Sequence, residues 1–85
     1  MQPKLAPRTA RVAADIGEQI RTARLAADVS QEALAEKIGM TRTNYARIEG
    51  GRTNVTLDSL LRIADGLGVE LSIEVSRPKA KRSGR

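Results

Sequence analysis

Two helix starts with a glycine between them constrain this chain more than any other feature. Ser30 and Thr41 each carry a hydroxyl that can accept a backbone amide of a first helical turn, and Gly39 lies just before the second. Glycine can take the positive φ that stops a helix, and Gly50-Gly51 repeats the signal further on. The stretch from Ser30 to Gly51 therefore reads as two short helices joined by a tight turn. Ala35 is a small residue that lets the pair approach closely, and Ile38 and Ile48 can bridge them.

The flanking segments read as helices too. Ile16, Ile20, Ala23 and Ala27 recur at helical spacing, with Val12 one turn earlier. This first helix should begin near Thr9 to Ala14 and end near Ala27, because Pro3 and Pro7 discourage regular structure before it. Asp28 and Val29 make a turn into the Ser30 cap. After a polar loop at 51–55, Thr56 caps a fourth helix whose apolar stripe is Leu57, Leu60, Leu61, Ala64 and Leu67. Gly66 and Gly68 mark its end. The period then changes. Val69, Leu71, Ile73 and Val75 alternate with Glu70, Ser72 and Glu74, which predicts a strand.

Composition narrows the chemistry. The 85 residues hold one small domain, with no Cys, His, Phe or Trp and one Tyr. Disulfides, zinc fingers, thiol chemistry and imidazole catalysis are excluded, and the core must be Leu, Ile, Val and Ala. The acids are scattered over helical faces and no glycine-rich phosphate loop occurs, so neither an enzyme nor a cofactor is expected. No apolar run approaches the ~18 residues of a membrane span. No apolar segment follows Lys4, Arg8 and Arg11 as in a secretory signal, so a cytoplasmic, nucleoid-associated protein is expected.

The net charge of +5 is unevenly placed. Lys4, Arg8 and Arg11 lie in a segment, 1–14, without acids. Arg77, Lys79, Lys81, Arg82 and Arg85 lie in another, 77–85, while residues 15–76 are net acidic. Basic ends suit a polyanion such as nucleic acid, although such tails also serve solubility alone.

On a helical wheel, Arg42, Ala46, Gly50, Thr43 and Arg47 share one side of the third helix. Asn44, Ile48, Thr41 and Tyr45 share the other. Small residues in the first face permit close approach to a surface. Arg offers paired donors that match guanine O6 and N7, and Thr can bond a base edge or pack on the thymine methyl. The helix start and the Thr41 hydroxyl favour a nearby phosphate. Alone, this face is equally consistent with a solvated surface. The close-packed helix before it makes the pair a helix-turn-helix.

With these elements placed, residues 16–68 resemble the Cro and phage-repressor (Xre) class of helix-turn-helix domains. The segment SQEALAEKIGMTRTNYARIEGGRTNVTLDSLLRIADGLGV carries the match. The resemblance implies a mainly α fold, a repressor-like bundle of four to five helices. It implies that Arg42, Thr43 and Arg47 read bases, and that Thr41, Asn44, Arg52 and Asn54 grip the DNA backbone. Gln31 would contact a phosphate or steady a base-reading side chain. Arg24 and Glu49 match a buried ion pair that, with Ile48, would brace the recognition helix. Tyr45 stands where the family often has a branched aliphatic residue. It reads as mainly core, with its hydroxyl near the surface and within reach of a phosphate.

A single strand leaves its amides without partners. The simplest partner is the same strand of a second copy, pairing antiparallel across a two-fold axis and burying Val69, Leu71, Ile73 and Val75 against the fourth helix. The alternative is pairing with an irregular segment of the same chain. The expected organisation is a basic arm at 1–11, the helix-turn-helix domain at 12–68, a dimerisation strand at 69–76 and a basic disordered tail at 77–85. A symmetric dimer implies a palindromic operator on double-stranded DNA, with half-sites about 10 base pairs apart. The function expected is a transcriptional repressor or autoregulator. A strand after the fourth helix is also similar to antitoxins of HipA-type kinase-toxin pairs, which would add a toxin partner. A controller protein of a restriction-modification system is the third reading.

Overall fold

The computed structural model describes residues 4–76. Four helices follow in chain order: α1 (Pro7–Ala26), α2 (Gln31–Lys37), α3 (Arg42–Glu49) and α4 (Leu57–Leu67). None of the described helices is long and apolar enough to cross a membrane. The expected tail at 77–85 and the first three residues of the expected arm lie outside the described residues.

Three helices begin where a hydroxyl caps them. Ser30, Thr41 and Thr56 accept the amides of Ala33, Asn44 and Ser59, each at 3.0 Å. Each cap satisfies one amide that the helix itself cannot, for about 1 kcal/mol. α1 begins differently. Ala6 at its N-cap makes no side-chain bond, and Pro7 takes the first helical position. Proline is suited to that place because its missing N–H would have no partner within the helix. Pro7 thus starts α1 instead of delaying it, and residues 7–11 are helix rather than arm. Between α2 and α3, Gly39 adopts φ +74°, the left-handed turn that lets two short helices meet closely.

The core lies where α2, α3 and α4 converge. Leu34, Ala35, Ile38, Tyr45, Ile48 and Ile63 form it, with Ile20, Val29, Met40, Val55 and Leu67 packed around them. α4 is rotated relative to the expected stripe. Leu60, Ile63 and Ala64 are buried, whereas Leu57 and Leu61 are more than half exposed. One small core can cover only a limited arc of the helix, and it covers the arc centred on Leu60 and Ile63.

α1 crosses the end of α3 at backbone contact. Gly17 is buried, and a Cβ built there would fall on the carbonyl oxygen of Glu49 and within 2.8 Å of that of Ile48. Gly17→Ala should therefore destabilise the protein by about 1–3 kcal/mol, although alanine is the better helix former by ~1 kcal/mol. Urea denaturation measures this, and a more stable alanine variant would contradict the close crossing.

After Gly68 the chain runs through 69–76 with no helix or strand pairing. The strand expected at Val69–Val75 does not form within this chain. A strand needs a partner edge, and the other described segments are helices, turns and short connections. Leu71 is half-buried, while Val69, Ile73 and Val75 are exposed, Val75 by 90%.

Candidate nucleic-acid interface

α3 is divided into two faces. Tyr45, Ile48 and Glu49 are buried. Arg42, Thr43, Asn44 and Gly50 are exposed, and Ala46 and Arg47 are half-exposed. At about 100° per residue, Thr43 lies opposite the buried set with Arg47 and Gly50 beside it, and Arg42 lies toward the Glu49 edge. Thr41 is exposed at the helix start. Its oxygen accepts the Asn44 amide, and its own hydrogen stays free to donate outward.

Beneath that face, one carboxylate gathers four donors. Arg24 Nε reaches Glu49 Oε2 at 2.7 Å and Arg24 Nη2 reaches Oε1 at 3.1 Å. The Tyr45 hydroxyl donates to Oε2 at 2.6 Å, and the Gln31 amide nitrogen donates to Oε1 at 2.8 Å. Arg24 spends a further N–H on the Val29 carbonyl at 2.8 Å. The cluster ties the last turn of α1, the start of α2 and the end of α3 into one unit.

Burial alone would lift the Glu49 carboxyl, but the hydrogen bonds from Arg24, Tyr45 and Gln31 outweigh it and hold the group below its ordinary range. The bond to Glu49 raises the Arg24 guanidinium further, against the cost of burial. Burial and the bond to Glu49 push the Tyr45 hydroxyl well above its usual value. Glu49 and Arg24 therefore stand as a fixed charge pair, with Tyr45 protonated between them.

The Tyr45 hydroxyl is not near the surface, as its sequence position suggested. The residue is wholly buried. Glu49 lies one turn later on the same face and captures the hydroxyl, while Arg24 donates to both carboxylate oxygens. Gln31 is half-buried, with its nitrogen committed to Glu49 and its carbonyl oxygen in no hydrogen bond among the described residues.

Arg52 and Asn54 are exposed on the loop after α3. That loop starts at Gly51, which has φ +71° and rests on α1 so closely that a Cβ would come within 2.6 Å of the Ala14 Cα. Ion pairs among the described residues join Arg24 to Glu49 and, at 3.9 Å, Arg62 to Asp58. Arg42, Arg47 and Arg52 are in neither. The bracing role of Gly17 and the Gln31–Glu49 link were missed from sequence. For Gly17 a signal existed, since a glycine inside a helical pattern is unfavourable unless packing requires it.

Known proteins share this fold. A helix-turn-helix family model matches residues 20–73. Control protein C.MunI of Mycoplasma sp is 49% identical over 42 residues, which make up 49% of this chain and 57% of that relative. The match thus spans little more than half of C.MunI. The restriction-modification controller protein C.AhdI of Aeromonas hydrophila has a crystal structure similar to this one. Its TM-score is 0.68 at 33% identity, covering 71% of this chain and 91% of that one. The controller protein C.Esp1396I, as a tetramer with its natural 35 base-pair operator, gives a TM-score of 0.66 at 34% identity, covering 69% of this chain and 78% of that one. The similarity to HipA-type antitoxins rested on the strand at 69–75. Without that strand in the chain, it loses its structural ground.

Proposed function

The chain belongs to the helix-turn-helix family, and from that premise we propose that this DNA-binding regulator acts as a controller-type dimer, with one α3 reading each half of a palindromic operator. The observation that carries this reading is the division of α3. Its inner face is clamped through Glu49, and its outer face presents Thr43, Arg47 and Arg42, with neither arginine in an ion pair among the described residues. A rigidly held helix with free donors is what base reading requires, because misplacement of the helix would forfeit paired bonds to a base edge. Arg42, Thr43 and Arg47 supply selectivity, while Thr41, Asn44, Arg52 and Asn54 supply affinity through the backbone. Gln31 acts chiefly as a brace, with its free oxygen able to orient a neighbouring donor.

Dimerisation follows from what the single chain leaves uncovered. Val12, Leu61, Val69, Ile73 and Val75 are all exposed. Segment 69–75 has the alternation of a strand and no partner strand among the described residues. Pairing with its copy across a two-fold axis would satisfy the backbone and cover these side chains together. Half-sites about one helical turn apart, ~10 base pairs, follow from such a dimer. The tetramer of C.Esp1396I on its operator supports an assembly of this kind.

Arg47→Ala tests the reading. It should cost about 1–3 kcal/mol on the preferred operator, roughly 5- to 150-fold in affinity, and much less on random DNA. Equal weakening on both would mean that Arg47 holds phosphate and does not read a base.

A further inference from the structure

α1 begins at Pro7, well before the family match, which starts at Ile20. Its early turns are seated on the loop between α3 and α4 by small residues. Ala14 lies against Gly51, and Gly17 meets the carbonyl groups of Ile48 and Glu49. This seam sets where the first turn of α1 can lie. It places Arg8 in one groove with Asn54, Val55 and Leu57, a groove that also takes in Val12 and Ile73 of the proposed dimer face.

Among the described residues, Arg8 is the only charged one lining that groove, and none of those lining it is acidic. The residue is exposed and belongs to neither ion pair among the described residues. The first acid along the chain is Asp15, and Lys4 and Arg11 add to the positive field at this end. The groove therefore offers the guanidinium no internal counter-charge. Its planar donors match phosphate oxygens in pairs.

We propose that Arg8 is a DNA phosphate contact, so that the first turn of α1 and the Arg52–Asn54 loop hold one stretch of backbone together. This rests on the reading of α3 as the DNA-recognition helix. Residues 7–11, expected from sequence as an arm, are helix, so the contact has a fixed position and little ordering entropy opposes it. A phosphate contact carries no base information. Its contribution is equal on all sequences and falls with salt through counterion release.

The test is binding of the full chain to two duplexes, one enriched from a random pool and one scrambled, across a salt series. Wild type, Arg8→Gln and Arg11→Gln are compared, because Arg11 is exposed on the same helix but lies outside the groove. Arg8→Gln should weaken binding to both duplexes alike, about fivefold at ~0.15 M salt. It should also lower the slope of log K against log salt by about 0.9. Arg11→Gln should leave the slope unchanged, and the thermal melt of Arg8→Gln should match wild type. An unchanged slope in Arg8→Gln, an equal loss in both variants, or a loss confined to the enriched duplex overturns the assignment. In each of those cases a selective loss in Arg47→Ala would still support the role of α3. A wild-type chain that binds neither duplex overturns both.

Discussion

Glu49→Ala is expected to remove about 3–5 kcal/mol of folding stability. The side chain is one of two charged groups in the buried set, and its carboxylate is the acceptor for Arg24, Tyr45 and Gln31. Its removal leaves a buried guanidinium without its counter-ion and a buried hydroxyl without its acceptor. A domain of this size has roughly 5–15 kcal/mol in total, so the variant should approach the edge of folding at 37 °C. Urea denaturation checks this. Replacing both charges at once, Arg24→Met with Glu49→Leu, should cost less than Glu49→Ala, because no unpaired charge remains. If the double variant is the less stable of the two, the cluster owes its value to something other than charge pairing.

The same carboxylate gives stability a pH dependence of definite sign. Glu49 titrates below its ordinary range when folded, so the unfolded chain takes up its proton first as pH falls. The contribution is full above the ordinary carboxylate range and is lost as pH drops through the depressed value. Glu49→Gln should therefore show a shallower fall in melting temperature on the acid side than wild type. Parallel acid limbs in the two proteins would contradict the assignment.

Tyr45→Ala should cost a further large amount, about 3–5 kcal/mol, while Tyr45→Phe costs about 1.5 kcal/mol. Tyr45 is the only aromatic residue in the chain and is wholly buried at the centre of the core. Truncation opens a cavity that the surrounding aliphatic side chains cannot refill. Removing only the hydroxyl takes one donor from Glu49 and leaves the other three bonds in place. The phenylalanine variant also distinguishes two roles for that hydroxyl. If it touched a phosphate, Tyr45→Phe would weaken DNA binding and leave stability unchanged. The structure requires the reverse.

The helix boundaries were legible because caps are local. Ser30, Thr41 and Thr56 act within three residues of themselves, so nothing distant needs to be known. The two faces of α3 could be read from a wheel for the same reason. Arg24 and Glu49 lie 25 positions apart, and no periodicity joins them. Their pairing came from family resemblance alone. Tyr45 and Glu49 are one turn apart, yet the direction of the hydroxyl depends on where α1 crosses, which local spacing does not carry. The rotation of α4 onto Ile63 likewise depends on what its neighbours can cover. At 69–75, alternation names the side chains that could share a face but not the edge that would pair with them. The start of α1 differs from expectation because Pro7, a breaker inside a helix, favours the helix in its first turn.

As proposed, α3 reads DNA sequence from two copies held in fixed relation. Selection of bound duplexes from a random pool tests it most directly. The selection should recover an inverted repeat, its halves about 10 base pairs apart, with a guanine in each half whose enrichment disappears for Arg47→Ala. A recovered pool no different in sequence from the starting one would contradict it.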